Sequence, residues 1–67
     1  MLKNLKAEMA RNDVSGVEIS RTIGRSQKSV SEKICGRTQF TISEAMLIKN
    51  KFFPDSDMEY LFSDEAV

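Results

Sequence analysis

Apolar residues recur along this chain at three- and four-residue steps, the spacing of one face of an α-helix. Between these groups stand polar clusters and the helix breakers Gly24, Gly36 and Pro54. The pattern predicts an all-α domain of five short helices. The expected helices run from 1 to 12, between Ser15 and Gly24, over 27–35, from Thr41 to about residue 51, and over 58–62, followed by a frayed tail at 63–67.

Hydroxyl side chains mark the start of three of these helices. Ser15, Ser26 and Thr41 are predicted N-caps, because a side-chain oxygen can accept a bond from an unpaired amide of the first turn. Glu18 and Glu44 each lie three residues after a cap and are expected to complete capping boxes. Asp57 is the corresponding cap of the last helix.

The second and third helices are separated by a break of about three residues, the length typical of a helix-turn-helix unit. Gly24 and Gly36 end the two helices, where a left-handed backbone is least costly in glycine. The expected core includes the inward Ser20 and a partly buried Cys35. The apolar core positions are Leu5, Met9, Ile19, Ile23, Val30, Ile34, Phe40, Leu61, Phe62 and the stripe Ile42, Ala45, Ile48 and Phe52.

Composition narrows the possible functions. Sixty-seven residues, 40% hydrophobic and 30% charged, suit one globular domain, and no apolar run approaches the ~18 residues of a membrane span. The chain has no His and a single Cys, which excludes zinc sites and Ser–His or Cys–His nucleophiles. We therefore expect no catalytic residue, metal, cofactor or small-molecule substrate, and a location in the bacterial cytoplasm or nucleoid.

Charge is distributed unevenly although the net charge is zero. Residues 1–40 hold eight Lys and Arg against four acids, a net charge of +4, whereas residues 41–67 hold two Lys against six acids, a net charge of −4. This asymmetry predicts one basic working face. The alternative is that the acidic half only keeps the protein soluble.

The outward face of the third helix is polar. It carries Gln27, Lys28, Ser31, Glu32 and Lys33, several of which suit the edges of DNA bases. Many amphipathic helices have a polar face that is merely solvated, and the same spacing occurs in proteins that bind no DNA.

An ordered set of features resembles the Cro and phage-repressor family of helix-turn-helix proteins, especially its small prophage-encoded members. The set comprises five short helices, the consecutive stretches Ser15 to Gly24 and Ser26 to Gly36, and the closing YLF. The likeness is strongest in SVSEKICGRTQFTISEAMLIKN and FPDSDMEYLF and covers residues 3–62. It implies a lambda-repressor-like DNA-binding domain acting as a transcriptional regulator.

The resemblance also implies roles for individual residues. Gln27, Lys28 and Glu32 match positions that read base edges, with Ser31 beside them. Arg11, Arg37 and Thr38 match residues that contact the DNA backbone. We expect Arg25, Ser26 and Lys33 to contact phosphate as well.

The chain departs from the family pattern at three positions. Gly16 stands where members often carry a phosphate-gripping Gln, and Lys33 stands where many have an apolar core residue, which shifts the packing onto Ile34. Glu32 costs affinity unless it reads a base. Because the sequence ends at Val67, without the C-terminal oligomerisation domain of longer repressors, we expect a Cro-type protein.

The expected partners are a double-stranded DNA operator and a second copy of the chain, at least on DNA. Met46, Leu47, Phe53 and Met58 are the predicted dimer contacts, since the first three lie off the core stripe of the fourth helix. The alternative function is an antirepressor or antitoxin-like protein-interaction module that keeps the fold without DNA binding.

Overall fold

The computed structural model describes residues 1–63, and this part of the chain contains five α-helices and no strand. The helices are α1 Lys3–Arg11, α2 Gly16–Ile23, α3 Gln27–Cys35, α4 Ile42–Phe52 and α5 Met58–Leu61. The all-helical prediction is confirmed. Apart from Ser63, the tail predicted to fray lies outside the described residues. Within residues 1–63, no helix is long and apolar enough to span a membrane.

Side-chain caps begin three of the helices, as the sequence predicts. Ser15, Ser26 and Thr41 each accept a bond from the backbone N–H three residues later, at 3.3, 3.1 and 3.1 Å. The carboxylate of Glu44 returns a bond to the Thr41 N–H at 3.0 Å, which completes the capping box of α4. At α2 only the serine half of the predicted box is present, and Asp57 precedes α5 without a side-chain cap bond.

Two glycines in the left-handed region end α2 and α3. Gly24 has φ +70° and Gly36 has φ +96°, and their N–H groups bond carbonyls of the preceding turn. A residue with a Cβ is strained at such angles. The turn after Gly24 is short, so the direction of α3 is set directly by the end of α2.

Each helix contributes one side chain that is almost completely buried: Leu5, Ile19, Val30, Ile48 and Leu61. Burying a side chain of this size stabilises the fold by about 1.5–3 kcal/mol. α2 packs against α3 and α4, α1 packs against α3 and α5, and α5 packs against α4. The core therefore holds α3 by its inner side and leaves its outer side to solvent.

Three predictions about the core are wrong. Ile42 is 79% exposed, because it is the first residue of α4 and the buried side of that helix runs through Ala45 and Ile48. Phe53 is only 3% exposed, because the chain leaves the helix at this residue and returns the ring to the core. Cys35, the last residue of α3, is exposed although its neighbour Ile34 is buried.

Two other core predictions are confirmed. Ser20 is buried, and its hydroxyl donates a 2.7 Å bond to the carbonyl of Val17. Phe40 packs against the core with its ring edge-on to Phe62, at 5.5 Å between centroids. The α3–α4 loop is thus attached to α5 as well as to its own helices.

Candidate nucleic-acid interface

The inner face of α3 consists of Val30, Lys33 and Ile34, all buried. Ser26 caps the helix and Gly36 closes it, so both ends have defined geometry. A helix of nine residues is not stable alone in water. Tertiary packing therefore holds α3 and presents its other side in a defined orientation.

The four candidate base-reading residues lie on the outer side of α3. Gln27, Lys28 and Ser31 are exposed, and Glu32 is half-buried. Gln27 and Ser31 are one turn apart on one stripe, and Lys28 and Glu32 are one turn apart on the next. Gln27 and Lys28 form the first turn, which is the end of a recognition helix that contacts base edges in helix-turn-helix proteins.

A groove of about 340 Å³ runs beside Gln27, between α3 and the α1 and α2 helices. Its walls include Met9, Gly16, Ser31 and the exposed Cys35. Within residues 1–63, no atom beyond the backbone of α2 and the two neighbouring residues lies within 4 Å of the position that a Cβ would take at Gly16, which lines the same groove as Gln27. The absence of a side chain at Gly16 therefore leaves room around the first turn of α3.

Two candidate phosphate contacts are arginines bound by buried carboxylates. Arg11 Nη1 lies 3.1 Å from an oxygen of Glu8, and Arg25 Nε lies 3.0 Å from an oxygen of Glu44. The arginine side chains are 71% and 55% exposed, whereas the glutamate side chains are 9% and 8% exposed. Each guanidinium is therefore fixed on its protein side and open to solvent on the other.

The remaining candidate phosphate contacts lie at the two ends of α3. The Ser26 hydroxyl is engaged as the N-cap, although the residue is exposed. Arg37 and Thr38 are exposed in the loop after Gly36, and the Arg37 N–H bonds the carbonyl of Glu32 at 2.9 Å. The positions of these three residues are compatible with the predicted role.

The prediction for Lys33 is corrected by the structure, which places its ammonium inside the protein. The side chain is 10% exposed, and Nζ donates to the carbonyl of Gln39 at 3.0 Å and lies 3.4 Å from an oxygen of Glu44. Nζ also lies 5.8 Å from the centroid of the Phe40 ring. The predicted phosphate contact is therefore wrong for Lys33, since its partners are protein groups in the core.

Glu44 connects these residues in a set we call the Glu44 cluster: Arg25, Lys33, Thr41 and Glu44. One carboxylate oxygen accepts from the Thr41 N–H and faces Lys33, and the other accepts from Arg25. The bond from the Thr41 N–H, assisted by Arg25 and Lys33, holds the pKa of Glu44 below its ordinary value although burial opposes this. The sequence predicts the bond to Thr41 but not the two cations, because neither is local to Glu44: Arg25 is 19 positions away and Lys33 belongs to the preceding helix.

The predicted dimer contacts divide into exposed and buried residues. Met46 and Leu47 are 50% and 49% exposed, and Met58 is half-buried. Phe53 is a correction, because a ring that is buried in the core cannot contact a second copy. Ile42 takes its place as an exposed apolar residue, one turn before Met46 on α4.

A second groove of about 340 Å³ adjoins Ile42. The α3–α4 loop, the start of α4 and α5 form its walls, which include Phe40, Met58 and Phe62.

Within residues 1–63, no group of three or more His, Cys, Asp or Glu is placed to hold a metal ion.

Comparisons with protein-family models, with curated proteins and with solved structures found no match.

Proposed function

We propose that this protein binds duplex DNA site-specifically as a transcriptional regulator of the Cro type, with α3 in the major groove. The arrangement of α3 carries the proposal. Its inner face is buried through Val30, Lys33 and Ile34, and its first turn presents Gln27 and Lys28 to solvent. The major groove of B-DNA is wide enough to admit an α-helix held in this way.

Base recognition is assigned to the exposed side of α3. Gln27 suits an adenine, with which a glutamine pairs bidentately, and Lys28 suits a guanine. Glu32 accepts a bond from the amino group of cytosine, and Ser31 bonds whichever base edge lies nearest. Each good bidentate pair contributes about 1–3 kcal/mol of discrimination against the wrong base.

Phosphate contacts are assigned to residues that surround α3. Arg25 and Ser26 precede the helix, and Arg37 and Thr38 follow it, so the two ends of α3 would meet the backbone on either side of the groove. Arg11, at the end of α1, adds a further cation. The resemblance to phage repressors supports the same assignment.

A protein-interaction module is the alternative, and one observation favours it. Ile42, Met46 and Leu47 expose large apolar side chains on α4. In an antirepressor or antitoxin-like protein, this surface would bind a partner and α3 would be a solvated face. The two functions differ in their response to salt, because phosphate contacts release counterions whereas an apolar contact does not.

The test is to select ligands from a random duplex library and to titrate the variants Gln27→Ala and Arg37→Ala. The affinity of each variant for the selected duplex and for a scrambled duplex is measured at two salt concentrations. Gln27→Ala should lose ~1–3 kcal/mol on the selected duplex and bind scrambled DNA normally. Arg37→Ala should weaken both duplexes about equally and lower the salt slope by about one.

The outcomes separate the two functions. If Gln27→Ala weakens both duplexes equally, α3 acts as a charged surface and does not read sequence. If no duplex is enriched and neither substitution matters, the interaction module replaces the DNA-binding function. Circular dichroism of each variant confirms that the fold is retained.

A further inference from the structure

The carboxylate of Glu44 is buried, yet it bonds a residue of the predicted DNA-binding surface. Its side chain is 8% exposed, and its two oxygens have different partners. One faces Thr41 and Lys33 on the interior, and the other accepts from Arg25 Nε at 3.0 Å. The Glu44 cluster therefore extends from the core to the turn that precedes α3.

Two cations contact Glu44 in this cluster, and Lys33 is the buried one. Its ammonium, 3.4 Å from Glu44, already balances the buried carboxylate. Arg25 and Lys33 carry two positive charges against the one negative charge of Glu44, so the three side chains together keep a net charge of +1. Of the two cations the arginine is the one that reaches solvent, since its side chain is 55% exposed and that of Lys33 is 10% exposed.

The shape of a guanidinium lets Arg25 serve two partners at once. It has five N–H donors in a planar fork, and only the one on Nε is used by Glu44. Among residues 1–63, no protein group bonds the two Nη atoms of Arg25. Four donors are thus available while Nε holds the orientation of the fork.

We propose that Glu44 is a positioning residue for DNA binding: through Arg25 Nε it holds the guanidinium so that its Nη groups bond a backbone phosphate at the start of α3. This inference rests on the proposed function. An arginine oriented before binding loses less side-chain entropy when it meets phosphate. In the opposite role, Glu44 competes with phosphate for Arg25 through the same contact. The coupling energy between substitutions at Arg25 and Glu44 would then have the opposite sign.

The test is a double-mutant cycle on the full chain. Arg25→Gln is made in the wild type and in Glu44→Gln, and affinity for a random-sequence 20-base-pair duplex, the probe used throughout, is measured at low salt. Arg21→Gln is the matched control, because Arg21 is an exposed arginine of α2 that makes no ion pair within residues 1–63. The effect of each arginine substitution is measured against its own parent, either the wild type or Glu44→Gln. The change in net charge caused by Glu44→Gln is therefore the same on both sides of each comparison and cancels.

Arg25→Gln should weaken binding about tenfold in the wild type but less than about twofold in Glu44→Gln, because a neutral amide offers one acceptor oxygen to the Thr41 N–H and Arg25 Nε together and no charge to hold the guanidinium. Arg21→Gln should have the same small effect in both backgrounds. If Arg25→Gln has an equal effect in both, Glu44 does not position Arg25. If its effect is larger in Glu44→Gln, Glu44 competes with phosphate, and the inference is overturned.

A second pair of variants leaves Glu44 intact and decides the matter if Glu44→Gln unfolds. Arg25→Lys keeps the charge but offers one ammonium in place of the two-sided fork. It should bind the duplex about fivefold more weakly than the wild type, whereas Arg21→Lys should bind within about twofold. If Arg25→Lys binds the duplex as tightly as the wild type, this inference is overturned and the proposed function is not. If the wild-type protein itself binds no duplex, both the proposed function and this inference are overturned.

Discussion

The hydroxyl of Tyr60 on α5 donates a 3.0 Å hydrogen bond to the buried carboxylate of Glu8 on α1. Beside it, the side-chain amide of Asn4 donates to the Tyr60 carbonyl at 2.9 Å. The four residues of α5 are too few to form a stable helix alone. These two bonds, with the buried side chain of Leu61, fasten α5 to the first helix of the chain.

Tyr60→Phe should lower the urea midpoint of unfolding without changing the slope, because it removes one bond to Glu8 and leaves the fold intact. The bond to Glu8 raises the pKa of Tyr60, so its stabilisation is present below the ordinary tyrosine pKa of about 10 and is lost as pH rises through the raised value. Urea unfolding at neutral and alkaline pH measures both effects. If Tyr60→Phe loses as much unfolding free energy at alkaline pH as the wild type does, the alkaline sensitivity does not come from the bond between Tyr60 and Glu8.

Glu44 should make the fold sensitive to acid. Since its pKa is lowered by the Thr41 N–H, Arg25 and Lys33, its stabilisation is present above the ordinary glutamate pKa of about 4.3 and is lost as pH falls through the lower folded value. The free energy of unfolding of Glu44→Gln should therefore fall less steeply with acidification than that of the wild type. Glu59→Gln, at an exposed position, is the control and should keep the wild-type slope.

Two glycines should respond oppositely to alanine. Gly24→Ala should destabilise the fold by about 1–2 kcal/mol, because its φ of +70° strains any residue with a Cβ. Gly16→Ala should stabilise it by about 0.4–1 kcal/mol, because Gly16 is helical and, within residues 1–63, a Cβ there has no neighbour within 4 Å beyond its own helix backbone and adjacent residues. Chemical denaturation measures both variants. Destabilisation by Gly16→Ala would show that its site is not open.

A dimer should form through the exposed apolar residues of α4. We expect a weak C2 dimer on DNA, with recognition helices ~34 Å apart, one turn of the duplex. Ile42→Glu or Met46→Glu should abolish the second protein copy in sedimentation of the DNA complex, since each puts a charge into the interface. Ala7→Glu adds the same charge to an exposed site on α1 and is the control. A strict monomer on a single half-site would reject the dimer.

The helices and their ends were determined by the sequence itself, because the interactions that set them are local. A hydroxyl at Ser26 or Thr41 reaches an amide three residues away in any environment that forms the helix. Gly24 follows the last residue of α2, where glycine adopts a left-handed backbone without the penalty of a Cβ. The outward positions of Gln27 and Lys28 were also predicted from local sequence, because the helical period of α3 places them on the side opposite its apolar residues.

The exact placement of side chains against the core was decided only by the tertiary structure. Periodicity assigned Ile42 to the buried stripe of α4, but burial depends on which side of the first turn faces the core, and in this turn Glu44 and Ala45 are buried whereas Ile42 is exposed. Phe53 is buried because the chain leaves α4 at that residue, where helical spacing no longer applies. Lys33 is buried because the distant Glu44 supplies a charge partner, and such pairing across the fold leaves no trace in local spacing.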